Sequence, residues 1–169
     1  MERYQTQTLI ALPALNEEIR IKQTLLHVRS YGDVVVYDNN SDDNTAKIAT
    51  NFGAKVIHCE QRGYENVIIK IIRDFMISNY KILCLIDADG EVGLKNLHEG
   101  LDIIKDIKID GVLGERLYIK RLSERVVVSL FKYFFNINDI YCGFKILKKS
   151  AISDNIRLNT FGTSIINKK

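Results

Sequence analysis

The sequence predicts an α/β fold, a parallel, doubly wound sheet covered by helices, and three observations support this prediction. Short apolar segments of strand length alternate along the chain with segments that carry apolar residues at helical spacing. Three of the apolar segments end in clusters of polar residues. The 169 residues are 46% hydrophobic, which is enough for one core, and nothing marks a linker. We therefore expect a single domain over residues 1–169.

The predicted elements follow one another in order, and several have a local start or stop signal. Buried-strand composition predicts strands over 8–12, 34–37, 54–58, 81–86 and 111–113, and an extended segment over 139–147. Apolar spacing predicts helices over 45–52, 63–77, 94–105 and 123–135, and an earlier one that carries Ile19, Leu25, Leu26 and Val28. Pro13 closes the first strand, Asn16 caps the first helix, and Gly53 stops the second helix.

Composition and motif content argue against several classes of protein. A net charge of +3 is too small to indicate nucleic-acid binding, although it permits contact with an anionic membrane or a phosphorylated ligand. No Gly-x-Gly-x-x-Gly follows the first strand and no Walker-type lysine loop occurs, which argues against dinucleotide oxidoreductases and P-loop NTPases. The three histidines have no obvious partner in the sequence, and we expect them to be structural or solvated: His27, His58 and His98.

Cysteine use and hydropathy indicate a reducing, cytoplasmic setting. Cys59, Cys84 and Cys142 are far apart and odd in number, so they suggest neither a zinc pattern nor a disulfide framework. The first residues are polar and lack an apolar stretch of signal-peptide length. No uninterrupted run of about 18 apolar residues exists, so the sequence predicts no segment that spans a bilayer.

Three carboxylates follow the fourth predicted strand directly: Asp87, Asp89 and Glu91. Two Asp residues at positions i and i+2 of extended chain point the same way, roughly 7 Å apart. Carboxylates this close repel one another, and a divalent cation relieves the repulsion. Oxygen ligands suit Mg²⁺ or Mn²⁺, which in turn hold phosphates. On these residues alone, a metal site and an acidic turn that only solvates a strand end both stay open.

The predicted topology brings this acidic segment together with two other polar clusters. Residues 13–17, 38–45 and 87–91 each follow a predicted strand, so all three lie at one edge of the sheet. In open α/β sheets, ligands bind beyond the carboxyl ends of the strands. The short amide and carboxylate side chains of 38–45 suit the edge of a base and a ribose, although they are also ordinary in a turn before a helix. The coincidence of the three clusters favours a binding site.

Four ordered motifs resemble those of family 2 glycosyltransferases. Residues 13–18 (PALNEE) resemble the PAYNEE opening of that family, and residues 34–45 (VVVYDNNSDDNT) resemble its second block, VVVDDGSTDGT. Residues 87–91 (DADGE) match the DxD metal motif of the dolichol-phosphate mannose synthase-like branch, usually DADGQ. Residues 139–145 (DIYCGFK) resemble the D-x-x-SGFK segment of the same branch. The four motifs cover about residues 8–150, and the chain is C-terminally short for that branch.

The resemblance implies a GT-A fold, a Rossmann-like three-layer α/β/α sandwich with a mostly parallel central sheet, and a UDP- or GDP-linked sugar as donor. It implies that the nucleotide-sugar is bound by Pro13, Ala14, Asn16, Glu17, Asp38, Asn39, Asp87 and Ala88. It implies that Mn²⁺ or Mg²⁺ is held by Asp87, Asp89 and Glu91. Asn39 stands where the family usually has a second Asp facing the base. Because an amide can accept and donate, the base preference stays open.

The resemblance also implies an inverting, metal-dependent transfer, with Asp89, Asp139 and Arg125 as the catalytic residues. A polyprenyl phosphate acceptor is already an anion and needs no base, whereas a hydroxyl acceptor needs a carboxylate such as Asp139 to take its proton. The acceptor phosphate would be bound by Arg116, Arg125 and Ser129. Arg125 and Ser129 are one helical turn apart, and Arg binds phosphate well. A lipid acceptor would place the protein at the inner face of a membrane, and a partner chain could complete the acceptor side.

Two other functions stay open at the level of the sequence. A nucleotidyltransferase uses a related sheet and acidic metal ligands, but it needs a Gly-rich loop with Lys or Arg after the first strand, and 13–18 has none. A GT-A-like domain that binds nucleotide without transferring sugar needs only the three polar clusters. Release of pyrophosphate from a nucleoside triphosphate identifies the first, and nucleotide binding without turnover identifies the second.

Overall fold

The computed structural model describes residues 7–90, 94–114 and 142–152. Its strands are β1 (Thr8–Ala14), β2 (Asp33–Asp38), β3 (Lys55–His58), β4 (Ile82–Leu85), β5 (Gly111–Leu113) and β6 (Lys145–Lys148). Its helices are α1 (Ile21–Val28), α2 (Thr45–Asn51), α3 (Tyr64–Ile77) and α4 (Leu97–Ile103), and a short 3₁₀ turn (Lys149–Ala151) follows β6.

The six strands form one sheet in the order β3-β2-β1-β4-β6-β5. The pairs β1–β2, β1–β4 and β2–β3 are parallel, while β6 runs antiparallel to both β4 and β5. The strand order reverses at β1, because β2 lies on one side of it and β4 on the other. The predicted, mostly parallel sheet is therefore confirmed, and this reversal opens a crevice beyond the carboxyl ends of β1, β2 and β4.

Helices cover both faces of the sheet. Side chains alternate along β1, so Ile10 and Leu12 pack with α1, α2 and α4, while Leu9 and Ala11 pack with α3 on the opposite face. All seven residues of β1 are buried, as expected for the central strand of a sheet covered on both sides. The described residues thus form the three layers that the sequence predicts.

The start of the first helix differs from the sequence prediction. Asn16 does not cap it: α1 begins at Ile21, its N-cap is Arg20, and Asn16 has a left-handed φ of 57°. Ile19 precedes the helix and is 89% exposed. The physical reason is that Asn16 is engaged elsewhere: its backbone N–H donates to Ser41 Oγ and its side-chain oxygen accepts from the Asp42 N–H.

The first strand is longer than predicted: Pro13 does not close it, because β1 continues to Ala14, which pairs with Asp38. The other predicted elements agree closely where the structure describes them. The second helix stops as predicted, with Gly53 at a φ of 82°. The helix predicted over 94–105 is shorter, covering Leu97–Ile103, and its apolar side chains pack into the core as predicted. The helix predicted over 123–135 lies outside the described residues. Within the part of the chain that the structure describes, no helix has the length and apolarity needed to cross a membrane.

Candidate nucleotide and metal site

A cleft of about 220 Å³ lies where β1, β2 and β4 end. It is lined by Pro13, Ala14, Leu15, Glu17, Asn39, Tyr64, Val67, Asp87, Ala88 and Asp89. Backbone hydrogen bonds continue the sheet beyond the strands: the Asn39 N–H donates to the Ala14 carbonyl at 2.8 Å, and the Ala88 N–H donates to the Pro13 carbonyl at 3.2 Å. The predicted convergence of three polar clusters at one edge is therefore confirmed for the described residues.

The first two clusters meet as a pair of loops, residues 15–18 and 41–45, which we call the paired loops. The Glu17 N–H donates to Thr45 Oγ1 at 2.7 Å, and the buried Thr45 hydroxyl donates in turn to Asp43 Oδ1. Further bonds between the loops join Asn16 to Ser41 and Asp42, and Glu18 to Asp43 and Asn44. These bonds satisfy backbone donors ahead of α1 and α2, so the loops are fixed before any ligand arrives.

Asp38 is buried beneath this loop pair, at 3% exposure, and does not line the cleft. Its carboxylate accepts from the Ser41 N–H at 3.3 Å, and Nδ1 of His58 lies 3.1 Å from it. The structure gives each histidine a polar neighbour that the sequence alone does not reveal, which agrees with a structural or solvated role. His27 Nδ1 lies 3.0 Å from the Gln23 carbonyl, and His98 Nε2 lies 3.3 Å from Asp102.

The third cluster forms what we call the acidic turn, residues 87–90, closed by a hydrogen bond from the Gly90 N–H to the Asp87 carbonyl. Gly90 has a φ of 65°, which favours glycine. The Tyr64 hydroxyl donates to Asp87 Oδ1 at 3.1 Å. Burial of this hydroxyl and, next, the Asp87 charge raise the pKa of Tyr64 above its ordinary value. Tyr64 therefore stays a neutral donor that orients the Asp87 carboxylate.

Gly143 lies directly against the Asp87 carboxylate. A Cβ atom on Gly143 would lie 1.8 Å from Asp87 Oδ2, a distance that no side chain tolerates. The buried Lys145 ammonium donates to the Cys142 carbonyl and so helps to hold the short segment that carries Gly143. The glycine in the last motif is thus required by the close approach of an acid from the third motif.

Glu17 connects the paired loops to the acidic turn. Its pKa is raised above 4.5, chiefly because burial disfavours the charged form; the Arg20 guanidinium, 2.9 Å away, lowers it, and the charges of Asp89 and Asp43 raise it. The charge of Asp89 thus raises the pKa of Glu17, although the two acids belong to different clusters of the sequence. Three of the carboxylates, those of Glu17, Asp87 and Asp89, therefore line the same cleft.

The donor set of the acidic turn suits a hard cation. Asp87 and Asp89 both line the cleft and offer carboxylate oxygens, the ligands that Mg²⁺ and Mn²⁺ prefer. Among the residues that the structure describes, no group of three or more His, Cys, Asp or Glu side chains is placed to hold a metal ion. The third predicted ligand, Glu91, lies outside the described residues.

The structure brings seven of the predicted site residues together around the cleft: Pro13, Ala14, Glu17, Asn39, Asp87, Ala88 and Asp89. Asn16 and Asp38 are adjacent but do not line it. Five predicted residues lie outside the described part of the chain: Glu91, Arg116, Arg125, Ser129 and Asp139. Their roles stay predictions.

Sequence reasoning missed three residues that line the cleft: Leu15, Tyr64 and Val67. Tyr64 and Val67 come from the first turns of α3, which follows the loop after β3. The signal was present: Arg62, Gly63 and Tyr64 follow a parallel strand of the same sheet, so their loop opens at the same edge. The loop carries a single carboxylate, Glu60, and therefore has no cluster of acids of the kind that follows β4.

Comparison with known proteins places this geometry in a family. The sequence model of glycosyl transferase family 2 matches residues 9–167. A protein of Methanocaldococcus jannaschii without an assigned function is 29% identical over 165 residues, covering 85% of this chain and 72% of its own length. The low-salt glycan biosynthesis hexosyltransferase of Haloferax volcanii is 27% identical, covering 84% of this chain and 38% of its own length. The dolichyl-phosphate beta-glucosyltransferase of Dictyostelium discoideum is 24% identical over 84% of this chain and 54% of its own length.

Solved structures show the same fold. The glucosyl-3-phosphoglycerate synthase of Mycobacterium tuberculosis in complex with UDP superposes with a TM-score of 0.70 at 20% identity, over 87% of this chain and 58% of that one. The mannosyl-3-phosphoglycerate synthase of Rubrobacter xylanophilus gives a TM-score of 0.71 at 16% identity, over 87% and 55%. This chain therefore spans little more than half the length of these enzymes. By its sequence and its GT-A fold, the chain belongs to glycosyltransferase family 2.

Proposed function

We propose that this chain is a metal-dependent inverting glycosyltransferase that moves a sugar from a nucleoside-diphosphate sugar to an acceptor. One observation carries the proposal: in a family 2 chain, the carboxylates of Asp87 and Asp89 line the same cleft as Glu17 and Asn39. The structure of the mycobacterial synthase with Mn²⁺ and UDP-glucose, which shares the fold at 18% identity, supports the same class of donor.

Different side chains of the cleft bind different parts of the donor in this proposal. Asp87 and Asp89 would hold the cation together with Glu91, and Tyr64 and Gly143 fix the direction of the Asp87 carboxylate. Asn39 and Glu17 lie on the side of the base and ribose. A bound Mn²⁺ or Mg²⁺ would supply Lewis-acid neutralisation of the charge that builds on the leaving diphosphate.

The transfer breaks the bond between the anomeric carbon and the diphosphate oxygen and forms a bond to the acceptor oxygen on the opposite face. The nucleoside diphosphate leaves with the electron pair. A phosphate acceptor is an anion and has no proton to lose, and Arg116, Arg125 and Ser129 are the residues we assign to it. A hydroxyl acceptor loses its proton to Asp139. The Dictyostelium relative, named for dolichyl phosphate, supports a lipid phosphate as acceptor.

Calorimetric titration with nucleoside diphosphates in the presence and absence of Mn²⁺ tests the proposal. We expect binding only with Mn²⁺, and its loss in Asp89→Ala, because removal of one carboxylate leaves too few ligands for the cation. Asp110→Ala is the matched control. Asp110 is exposed and its carbonyl accepts from the Lys148 N–H; Lys148 pairs with Ile82, so it lies at the opposite end of β4 from the cleft.

The outcomes separate cleanly. Equal binding by Asp89→Ala and Asp110→Ala would refute the metal assignment. Binding in the wild type followed by no sugar transfer to any polyprenyl phosphate or hydroxyl acceptor would leave a nucleotide-binding domain and refute the transferase.

A further inference from the structure

Asn39 occupies a fixed position on the wall of the cleft. It follows β2 directly, is only 6% exposed, and its backbone N–H is held by the Ala14 carbonyl. Its neighbour Asn40 is different, since it is exposed and does not line the cleft. The direction of the Asn39 side chain is set by the hydrogen bond that its amide accepts from the Gly63 N–H.

That hydrogen bond decides which end of the amide faces the ligand. The Gly63 N–H lies 2.8 Å from Asn39 Oδ1, and a backbone N–H can only donate. The atom beside Gly63 must therefore be the amide oxygen. Gly63 has a φ of 131°, a backbone conformation that other residues rarely adopt, so the direction of its N–H is set by the turn.

The amide nitrogen is left for the cleft. No buried side-chain nitrogen or oxygen lacks a partner in the described part of the chain, and no described residue accepts from Asn39 Nδ2. Nδ2 therefore reaches the accessible cleft with N–H donors and no acceptor. An Asp in this position would use one oxygen for Gly63 and present the other to the cleft as an acceptor. With Asn, the cleft therefore meets a hydrogen-bond donor where Asp would offer an acceptor.

The position suits recognition of a base. Asn39 follows β2 and the acidic turn follows β4, with β1 between them, so the two lie about 10 Å apart, two strand spacings. A nucleoside diphosphate whose phosphates lie at the acids extends its base across that distance. A purely donating side chain then favours a base edge that accepts.

We infer that Asn39 sets the base specificity of the cleft, selecting a base edge with a hydrogen-bond acceptor, such as N3 of cytosine, over the N3–H of uracil. This inference rests on the proposed function, because it needs a nucleoside diphosphate in the cleft. It predicts that the cleft binds CDP more tightly than UDP.

Calorimetric titration with CDP and UDP in the presence of Mn²⁺ tests the inference. The two ligands have nearly equal size and differ in the N3–H and in the group at C4. Asn39→Asp is nearly isosteric and keeps an acceptor for the Gly63 N–H, so the fold is retained. We expect the ratio of the UDP to the CDP dissociation constant to fall about tenfold in Asn39→Asp, because a donor–donor clash becomes a hydrogen bond for UDP and the reverse happens for CDP.

Asn40→Asp is the matched control, since it adds the same charge one residue away on an exposed side chain, and Asn and Asp both tolerate its left-handed φ of 62°. Its ratio should equal that of the wild type. The added charge weakens both ligands alike in either variant, which is why the ratio is the readout.

A shift smaller than about threefold in Asn39→Asp, or one that Asn40→Asp reproduces, overturns the inference while the proposed function stands. If the folded wild type binds GDP with Mn²⁺ but neither CDP nor UDP, the inference fails while the proposed function stands; if it binds no nucleoside diphosphate at all, both fail.

Discussion

The paired loops and the acidic turn both contribute residues to one cleft and are held in place by different means. Many hydrogen bonds join the two loops, including a buried hydroxyl between Glu17 and Asp43. The acidic turn is positioned by backbone contacts to β1, by one tyrosine hydroxyl and by the close approach of Gly143. Changes in the loops should therefore reduce the free energy of unfolding, whereas changes around the turn should reduce ligand binding.

The largest effect is expected from Gly143→Ala. The added methyl group would lie 1.8 Å from Asp87 Oδ2, so the carboxylate must turn away from the cleft. We expect Mn²⁺-dependent binding of a nucleoside diphosphate to weaken by about 100-fold or more, since a metal site loses a ligand. Titration calorimetry measures it.

Gly111→Ala is the control for this change. Its methyl group meets the flexible end of the Leu147 side chain in the β5–β6 pair, so it alters packing without reaching the acidic turn. Unchanged binding in Gly143→Ala would show that the close approach does not position Asp87.

Thr45→Val should affect mainly stability. The buried Thr45 hydroxyl accepts from the Glu17 N–H and donates to Asp43, and valine leaves both groups without it. We expect the free energy of unfolding to fall by about 1–3 kcal/mol, measured by urea denaturation. Thr50→Val removes an exposed hydroxyl that donates to the Ala46 carbonyl and should change stability far less. An equal fall in the free energy of unfolding of the two variants would show that the hydrogen bonds of Thr45 do not contribute specially to stability.

Tyr64→Phe should affect binding and leave stability almost unchanged. It removes the donor to Asp87 Oδ1 while the ring stays in the cleft wall. We expect Mn²⁺-nucleotide affinity to fall several-fold, about 3- to 10-fold, since one neutral hydrogen bond to a carboxylate is lost.

The matched control is Tyr80→Phe, which breaks an equivalent bond from a tyrosine hydroxyl to Asp33 at 2.7 Å. Asp33 begins β2, at the edge of the sheet away from the cleft. If both variants weaken nucleotide binding equally, the orienting role of Tyr64 is wrong.

The smallest effect concerns pH. The pKa of Glu17 is raised above 4.5 in the folded protein, mainly by burial, so its contribution to stability is present below pH 4.5 and is lost as the pH rises through the folded pKa. Glu17→Gln should therefore gain stability relative to the wild type between pH 4 and pH 7. Thermal denaturation at both pH values measures this, with Glu99→Gln on the exposed side of α4 as the baseline for loss of one charge. A difference that is constant with pH would contradict the raised pKa.

Much of the fold was readable from local patterns. Gly53 and the apolar runs predicted the end of the second helix and the strands because their signals are local and strong, whereas Pro13 lies inside β1 and does not end it. The start of α1 could not be predicted in this way. Asn16 is an ordinary N-cap residue, but its hydrogen bonds go to Ser41 and Asp42, which are 25 and 26 residues away. A local propensity cannot reveal that competition.

The candidate site likewise has features that the sequence predicts and features that it does not. The acids of the third cluster could be predicted to gather at one sheet edge, because topology alone places them there. The roles of Tyr64 and Gly143 could not, because each depends on a distance to Asp87 across the fold. The orientation of the Asn39 amide likewise depends on Gly63, and no spacing in the sequence encodes it.

The central claim is that Asp87 and Asp89 bind the cation that carries the nucleotide. A crystal soaked with Mn²⁺ and CDP tests it most directly through the anomalous signal of manganese. We predict one strong peak within coordination distance of both carboxylates, with the diphosphate beside it and the base toward Asn39. A peak elsewhere, or an acidic turn that binds no manganese while CDP occupies the cleft, would contradict the account.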